Sequence, residues 1–383
     1  MHSGLEDRSR EPLRVLFAAG GTGGHLFPAL AVAQELMGRA PASRVLFAGT
    51  RKGMEALLVP RAGFEIAFIS IYGLRRRMSA SNLALPFFGL KSLFQSFLIL
   101  RRFSPDVVFG TGGYVAGPVL LGAVLSRIPT VLHEQNSRPG LTARWLARWV
   151  SMVLLSFPQS EAYFRRKENL RVTGNPTRLG LEAGDRRAAR RLFGLREDVR
   201  TLLVFGGSLG AHSINMAVLD ALEELTAEQD VQLLWQTGRL DFEGIRDRVS
   251  QSGVRVLPFI DEMVDAYQAA DVVLCRAGAT TLAEITRCGL PAILVPYPRA
   301  TGGHQEFNAR ILVEAGAAAM IPDQELSGRK VAAAVLNILK DTEKRERMRN
   351  RSKAMGSPRA ATDIVEALFE LVSRRKGNDE APG

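Results

Sequence analysis

The sequence predicts an α/β protein made of two Rossmann-like domains, each a parallel sheet covered by helices. Short apolar runs of strand length alternate with amphipathic segments of helix length, which is typical of parallel strands joined by helical crossovers. The same alternation begins a second time near residue 200. The chain has 383 residues, more than an ordinary single domain needs, so two domains account for both the length and the repeat.

The first domain is predicted from its strands and the helix that follows the first of them. A strand at residues 14–18 precedes a helix from about residue 26 to 37, with Pro28 in its opening turn. Parallel pairing follows from this order of strand and helix. Further apolar runs predict strands at 44–48, 107–109 and 130–133.

The second domain follows a turn-forming segment, Gly174-Asn175-Pro176, and opens with a charged helix predicted at residues 185–193. We therefore divide the chain into domains at 12–177 and 178–350. A last amphipathic helix at about 358–375 is predicted to pack back on the first domain. Strands of the second domain are predicted at 201–205, 231–236, 254–258, 271–275 and 292–296.

Composition and cysteine usage exclude several classes of protein. Hydrophobic residues make up 46% and charged residues 23%, as in ordinary globular proteins. Two cysteines, Cys275 and Cys288, cannot form a disulfide framework or a clustered zinc site, so we expect a reducing, cytoplasmic location. The most apolar long window, 83–100, is interrupted by Lys91 and Pro86 and is not predicted to span a membrane.

Positive charge is concentrated in the first half of the chain. The net charge is +11, and residues 1–180 hold 23 Lys and Arg against 10 Asp and Glu, while the remainder is nearly neutral. This asymmetry indicates an anionic partner for the first half, whether phospholipid, nucleic acid or a phosphorylated substrate. A solvated basic face is the alternative.

Two glycine-rich turns follow the first strand of each half, at residues 20–25 and 206–211. A turn between a strand and a helix N-terminus gathers backbone N–H groups, which favours an anion, although glycines can also serve tight packing alone. Neither turn matches G-x-G-x-x-G or a P-loop, which argues against a dehydrogenase and excludes a P-loop NTPase. We predict a nucleotide diphosphate held in a cleft between the domains.

His25 ends the first glycine turn and is a candidate general base. A lone histidine more often caps a helix or fills a core. Here four glycines, residues 20, 21, 23 and 24, leave little to crowd the ring. The helix N-terminus disfavours imidazolium, so a neutral ring can accept a proton near pH 7.

The segment 276–284 has two interpretations in the second half. Thr281-x-x-Glu284 matches a capping box, which by itself accounts for both residues. Alternatively, Glu284 accepts hydrogen bonds from a ribose diol while the amides of residues 279–281 face phosphate. Both interpretations hold together only if Glu284 points outward.

Taken together, seven ordered motifs spanning nearly the whole chain resemble the peptidoglycan N-acetylglucosaminyltransferases, which make lipid II. The resemblance implies a GT-B fold, with two Rossmann-like domains facing across a deep cleft. It also implies inverting transfer of N-acetylglucosamine from UDP-N-acetylglucosamine to the C4 hydroxyl of the muramoyl sugar of lipid I. The motifs are Gly20 to His25, Gly110 to Tyr114, His133 to Asn136 with Pro139-Gly140-Leu141, Gly174 to Pro176, Gly206 to Ala211, Arg276 to Glu284, and His304-Gln305 with Asn308.

The resemblance also implies a role for individual residues. Ile260 presents its backbone to uracil, Glu284 takes the ribose hydroxyls, and Ser208 faces the diphosphate; His25 is the proposed base. One departure is Gly302-Gly303, where the family has acidic residues before His304. The implied donor residues are Thr22, Gly23, Gly24, Asn136, Arg178, Ser208, Ile260, Ala279, Thr280, Thr281, Leu282, Ala283, Glu284 and Gln305, and the implied acceptor-side residues are Tyr114 and Glu134.

No cofactor is expected, because the chain has no D-x-D motif with which many nucleotide-sugar transferases hold a divalent metal. The basic first half is expected to meet an anionic membrane surface on the cytoplasmic face of the cell membrane, and not nucleic acid. Arg75, Arg76 and Arg77 precede the apolar residues Leu83, Leu85, Phe87, Phe88 and Leu90, a pattern suited to a lipid interface. Packing of these apolar residues inside the domain is the alternative.

Three rival functions remain open from the sequence. Two are enzymes of the same fold: a transferase with another acceptor, and a UDP-N-acetylglucosamine 2-epimerase. The third is a nucleotide-sugar sensor or membrane scaffold without turnover. Release of UDP that requires a lipid I analogue distinguishes the expected transferase from all three.

Overall fold

The computed structural model describes residues 11–71, 85–182, 184–227 and 230–380, with side chains for all of these except 85–88 and 378–380. The chain divides into two compact units. Unit 1 comprises Met1–Thr177 together with Arg359–Gly383, and unit 2 comprises Arg178–Pro358.

Unit 1 is a seven-stranded parallel sheet with helices on both faces, as far as the described residues show. Its strands are β1 (Arg14–Ala18), β2 (Arg44–Gly49), β3 (Glu65–Phe68), β4 (Val107–Gly110), β5 (Thr130–Glu134), β6 (Met152–Leu155) and β7 (Leu170–Val172). The spatial order is β3-β2-β1-β4-β5-β6-β7, so the order reverses between β1 and β4. Its first helices are α1 (Gly23–Arg39), α2 (Glu55–Arg61), α3 (Leu85–Phe103), α4 (Gly113–Leu125) and α5 (Leu141–Leu146), and a 3-10 helix spans Pro158–Tyr163.

Strand β1 shows why the sheet is covered on both faces. Val15 and Phe17 pack in one apolar cluster, and Leu16 and Ala18 pack in another on the opposite face. All four residues are fully buried. Successive side chains of a strand point to opposite faces, so a continuous apolar run indicates a strand buried on both sides.

Unit 2 repeats this plan with a six-stranded parallel sheet in the described residues. Its strands are β8 (Arg200–Phe205), β9 (Val231–Gln236), β10 (Val254–Leu257), β11 (Val272–Cys275), β12 (Ala292–Leu294) and β13 (Ala318–Met320). The spatial order is β10-β9-β8-β11-β12-β13, which reverses between β8 and β11. Its helices are α6 (Arg186–Leu192), α7 (His212–Thr226), α8 (Phe242–Arg246), α9 (Met263–Ala269), α10 (Ala279–Cys288), α11 (His304–Glu314), α12 (Gly328–Leu339) and α13 (Thr342–Ala354), with 3-10 helices at Thr301–Gly303 and Asp323–Glu325.

The last helix, α14 (Ala360–Glu380), belongs to unit 1 although it follows unit 2 in the chain. Ile364, Val365 and Leu368 are fully buried in the cluster that contains Leu26 and Leu36 of α1. The helix extends past residue 375, where the sequence-based prediction ended it.

The fold class is confirmed, since two α/β units with parallel sheets are present. Four strands were missed: β3, β6, β7 and β13. Each has three or four residues, and β3, β7 and β13 lie at sheet edges, where the pattern of buried residues is weak. The prediction for α1 was wrong at its start, because the helix begins at Gly23 and Pro28 lies inside it rather than in the opening turn.

Candidate functional site

In unit 1, two glycine turns meet where the strand order reverses. The turn after β1 leads into α1, and the turn after β4 leads into α4. Gly113 has φ +72, and a Cβ there would lie 2.6 Å from the carbonyl oxygen of Gly20. Gly21 has φ +92, and a Cβ there would lie 2.7 Å from the Tyr114 ring. Only glycine permits this contact between the turns, and the reversal point of an open α/β sheet is where ligands bind.

The buried carboxylate of Glu55 holds the turn after β1 in place through hydrogen bonds. It accepts hydrogen bonds from the backbone N–H of Gly21 at 3.2 Å, the N–H of Thr50 at 2.9 Å and the Thr50 hydroxyl at 2.8 Å. Glu55 is fully buried. Sequence reasoning missed it because a lone glutamate near a helix start has no distinctive pattern.

His25 is the third residue of α1, and its ring lies between the two turns. The ring Nδ1 is 2.8 Å from the carbonyl oxygen of Thr111 and 3.0 Å from Oε1 of Gln135. Both partners can only accept, so Nδ1 carries the proton and Nε2 is the basic nitrogen of the neutral ring. Added Cβ atoms at Gly112 and Gly113 would lie 3.1 and 3.4 Å from the ring, which explains why glycines surround it.

Glu134, predicted to lie on the acceptor side, is engaged with its own loop. Its carboxylate accepts from the Asn136 N–H at 2.9 Å, the Asn136 side-chain amide at 3.1 Å and the Gly140 N–H at 3.3 Å. Glu134 is buried, and burial raises its pKa. It therefore holds the loop of residues 136–140 in place, and its acceptor-side role stays a prediction. Tyr114 is half-buried with its ring beside Gly21.

In unit 2, the turn after β8 is open to solvent. Gly210 has φ +80, and a Cβ there would lie 2.0 Å from the carbonyl oxygen of Thr237. The turn therefore packs tightly on one side only. On the other side Ser208 is exposed, and its neighbour Leu209 is 85% exposed.

Helix α10 begins beside this turn, at the reversal point between β8 and β11. Gly278 is the N-cap residue, and Ala279, Thr280 and Thr281 form the first turn, whose N–H groups lack a carbonyl one turn earlier. Such a helix start favours an anion. The capping box predicted from Thr281 and Glu284 does not form, because the cap lies three residues earlier and makes no side-chain bond. Of the following residues, Leu282 packs into the core and Ala283 is half-buried.

Glu284 points inward. The capping and ribose-binding interpretations could hold together only if it pointed outward, so they do not both hold. It is 2% exposed, and Oε1 accepts from Nε of Arg178 at 2.6 Å while Oε2 accepts from the Tyr267 hydroxyl at 2.9 Å. Burial, and then the charge of Glu284, raise the pKa of Tyr267, which keeps its proton. Burial lowers the pKa of Arg178, but its interactions with Glu284 and Tyr267 together outweigh burial and raise the pKa overall.

Gln236 is a second missed residue, and it links the two loops around the β8 turn. Its Oε1 accepts from the Ile260 N–H at 2.8 Å, and its Nε2 donates to the Gly207 carbonyl at 2.9 Å. The N–H of Ile260 therefore already has a hydrogen-bond partner. A nucleobase would contact the Ile260 carbonyl or displace Gln236 from the N–H.

The loop that departs from the family pattern precedes α11. Gly302 and Gly303 have φ +63 and +68, values that favour glycine. An acidic side chain at either position would be strained in this conformation. Just after them, Oε1 of Gln305 accepts from the Tyr297 N–H at 2.9 Å, and His304 Nδ1 lies 2.7 Å from the Thr301 carbonyl.

Neither a metal cluster nor a spanning helix is found in the part of the chain that the structure describes. No group of three or more His, Cys, Asp or Glu side chains is placed to hold a metal ion there. Burial raises the pKa of the Cys288 thiol to about 12, so it stays protonated. None of the helices described has both the length and the apolar character needed to cross a membrane.

Comparison with known proteins gives consistent results along the chain. The family model "Glycosyltransferase family 28 N-terminal domain" matches residues 15–155, and "Glycosyltransferase family 28 C-terminal domain" matches residues 201–364. The crystal structure of MurG from Acinetobacter baumannii is similar, with a TM-score of 0.74 and 31% identity over 94% of this chain and 100% of that one.

Two curated relatives carry the same name, UDP-N-acetylglucosamine--N-acetylmuramyl-(pentapeptide) pyrophosphoryl-undecaprenol N-acetylglucosamine transferase. The protein from Chlorobaculum parvum is 47% identical over 94% of this chain and 99% of its own length. The protein from Desulfitobacterium hafniense is 43% identical over the same shares.

Proposed function

This chain belongs to glycosyltransferase family 28, and from that premise we propose how its two units carry out the transfer of N-acetylglucosamine from UDP-N-acetylglucosamine to lipid I. It is a UDP-N-acetylglucosamine-dependent glycosyltransferase that makes lipid II, as the family membership and the near full-length relatives indicate. The GT-B fold expected from its motifs is confirmed.

Unit 2 binds the donor diphosphate in this proposal, and one observation carries the assignment. The open turn with Ser208 and the first turn of α10 lie together at the reversal point of the sheet. Backbone N–H groups and a helix dipole at Ala279, Thr280 and Thr281 stabilise the negative charge that UDP gains as it leaves. Because these groups are already oriented before the reaction, they stabilise the leaving UDP without a metal ion in this proposal.

Arg178 and Glu284 respond to the donor in this proposal. The Glu284 carboxylate has about four lone-pair directions, and Arg178 and Tyr267 use two of them. Glu284 is only 2% exposed, so ribose hydroxyls reach the other two directions once Arg178, whose side chain is 29% exposed, turns away. Its guanidinium then pairs with the diphosphate, a favourable partner for arginine. Gln305 and Asn136 contact the sugar, and Ile260 contacts uracil.

Unit 1 presents the acceptor to His25. The lipid I hydroxyl forms a bond to the anomeric carbon while the bond from that carbon to UDP breaks and its electron pair leaves with UDP. Nε2 of His25 takes the hydroxyl proton, which balances the charges. Because the displacement occurs in one step, the configuration of the anomeric carbon inverts. General base catalysis of this kind contributes about 10²- to 10⁴-fold in rate. Residues 22–24 contact the donor, and Tyr114 contacts the acceptor.

A membrane surface binds unit 1 in this proposal, on the cytoplasmic face of the cell membrane. The exposed apolar residues Leu90, Phe94 and Leu98 recur every four residues along α3. Trp145 in α5 and Trp149 in the turn after it are about half exposed and also lie four residues apart, and tryptophan is enriched at membrane interfaces. Exposed basic residues accompany them: Lys91, Arg101, Arg102 and Arg148. Of the residues predicted from sequence, Arg75, Arg76, Arg77 and Leu83 lie outside the described residues, as do the side chains of Leu85, Phe87 and Phe88.

An assay of UDP release with purified enzyme and UDP-N-acetylglucosamine tests the function. We expect release that depends on a lipid I analogue. Epimerisation of the donor without an acceptor would support the epimerase instead, and tight donor binding without any turnover would support a sensor. Equal release with an unrelated acceptor sugar would contradict the assigned acceptor.

A further inference from the structure

A chain of hydrogen bonds in unit 1 runs from a buried histidine to His25. Nε2 of His133 is 3.0 Å from the Gly174 carbonyl oxygen, and its Nδ1 is 2.9 Å from Nε2 of Gln135. The same Gln135 nitrogen is 3.0 Å from the His133 carbonyl oxygen. At its other end, Oε1 of Gln135 is 3.0 Å from Nδ1 of His25. Gln135 is thus the bridge between the two rings.

The acceptors at each end of this chain fix where its protons lie. The Gly174 carbonyl can only accept, so Nε2 of His133 carries a proton and its Nδ1 accepts. Ser156, whose Oγ lies 3.3 Å from the same Nε2, can accept as well. The His133 ring is neutral at physiological pH, because burial lowers its pKa to about 4. The amide nitrogen of Gln135 therefore faces His133, and its oxygen faces His25.

The opposite orientation of the Gln135 amide is unfavourable at both ends. Its oxygen would then face the His133 carbonyl oxygen at 3.0 Å, where both atoms are acceptors. Its nitrogen would face Nδ1 of His25, which already donates to the Thr111 carbonyl at 2.8 Å. Amide orientation is assigned from such networks, and here both ends give the same answer.

We propose that Gln135 is a positioning residue for the transfer reaction: it holds His25 in the tautomer that has its proton on Nδ1, so that Nε2 receives the proton of the attacking hydroxyl. This rests on the proposed role of His25 as the base. Gln135 and the Thr111 carbonyl also accept from the imidazolium that forms during transfer. Since the Thr111 carbonyl is backbone and survives any substitution, losing Gln135 weakens catalysis without abolishing it.

Two substitutions test this with opposite expected effects on pH dependence. The rate rises with pH as the base loses its proton. Gln135→Glu places a carboxylate against Nδ1 of His25, which stabilises the imidazolium, so the rise of kcat moves to higher pH by about one unit. Gln135→Met removes an acceptor at similar size, so the rise moves to lower pH and kcat at its plateau falls about tenfold. KM for UDP-N-acetylglucosamine changes less than about twofold, since Gln135 contacts the two histidine rings and has no assigned contact with the donor.

The other titratable side chains near this corner are present in both variants, although His133 loses the donor that Gln135 supplies to its Nδ1. They are His133 and Glu134 at the end of β5, Tyr114 beside Gly21, and Glu55 beneath the turn. Gln34→Met is the matched control, because Gln34 is exposed on the same helix as His25. We expect that control to have the wild-type pH profile.

Nitrogen-15 NMR of the histidine rings gives a readout independent of activity. The chain has five histidines, few enough to assign by substitution. We expect His25 of the wild-type enzyme to be protonated on Nδ1 when neutral, and Gln135→Met to contain a mixture of tautomers. A wild-type His25 protonated on Nε2 would overturn the proposal, as would identical pH profiles and tautomers in both folded variants.

The two proposals fail in different ways. If His25→Ala turns over at the wild-type rate, the base assignment is wrong, whatever the tautomer. If His25→Ala is inactive while the Gln135 variants match the wild type in pH profile and tautomer, only the positioning role is wrong. Thermal unfolding of each variant shows which of them fold, and the wild-type tautomer tests the assignment without any variant.

Discussion

At the scale of single residues, the two glycine turns serve different purposes. In unit 1, Gly113 lets the second turn contact the first, and the His25 ring packs against both Gly112 and Gly113. In unit 2, Gly210 lets the turn approach Thr237 and leaves Ser208 exposed. The first turn therefore positions a side chain, and the second leaves a surface open for a ligand.

His25→Ala is expected to lower kcat by about 10²- to 10⁴-fold with little change in KM for UDP-N-acetylglucosamine, because only proton removal is lost. Steady-state kinetics with a lipid I analogue measures this. Gln34→Ala is the control, since Gln34 is exposed on the same helix as His25. Normal donor binding with wild-type turnover in His25→Ala would leave His25 with a purely architectural role.

Glu284→Gln is expected to raise KM for the donor about tenfold with little change in kcat, because hydrogen bonds to a charged group are stronger than those to a neutral one. Binding of UDP and of 2′-deoxy-UDP separates ribose contact from general damage. We expect the wild type to prefer UDP and the variant to lose most of that preference. The exposed Glu262→Gln is the control. A variant that keeps the full preference would refute the ribose contact.

At the scale of elements, the ends of strands and the starts of helices carry the site. In the proposed mechanism, helix α10 offers its first turn to an anion, and α1 offers His25, its third residue, as a base. Helices α3 and α5 differ from α1 and α10 in this respect. Each buries one face against the domain and exposes large apolar residues on the other. The exposed apolar residues of α3 and Trp145 and Trp149 are otherwise costly to keep in water.

Combined replacement of Phe94, Trp145 and Trp149 by Gln is expected to weaken binding to vesicles of anionic phospholipid at least tenfold, because apolar area enters the interface there. Vesicle sedimentation measures the binding, and turnover of a water-soluble acceptor analogue is expected to stay unchanged. Leu192 and Leu240, exposed in unit 2, provide the matched control when replaced by Gln. Unaltered vesicle binding by the triple variant would contradict docking through α3, α5 and the turn after α5.

At the scale of the whole molecule, electrostatics divides between the two units. The excess of positive charge lies in the first 180 residues, which form most of unit 1, while the diphosphate site proposed in unit 2 consists of backbone N–H groups. Net charge attracts an anionic surface over a distance, whereas oriented N–H groups act on one anion at contact. The membrane surface and the diphosphate that we propose as partners are thus attracted by different electrostatic effects.

Chelation tests how the leaving group is stabilised by the whole enzyme. If backbone N–H groups and Arg178 stabilise the leaving UDP, dialysis against EDTA is expected to leave kcat within about twofold of the untreated enzyme. UDP release measured before and after dialysis, and again after adding Mg²⁺ or Mn²⁺, checks this. Loss of activity that either ion restores would show that a metal takes part.

The sequence by itself determined the class of fold, the family and the positions of the two turns. Its apolar runs are long where strands are buried on both faces, and the glycines and His25 occur in short local motifs. Such features depend on neighbours along the chain, so the sequence displays them directly. The short edge strands β3, β7 and β13 escaped prediction because few of their residues are buried.

Only the tertiary structure decided which side chains meet. Glu55 reaches Gly21 from 34 residues away, Gln135 reaches His25 from 110, and Arg178 pairs with Glu284 from 106. The contact with Arg178 holds Glu284 inward, where its two sequence-based interpretations do not both hold, and hydrogen bonds from residues 136 and 140 hold Glu134 beneath its loop. Hydrogen-bond partners are chosen by proximity in space, where burial makes an unsatisfied polar group costly, and separation along the chain carries no signal of that choice.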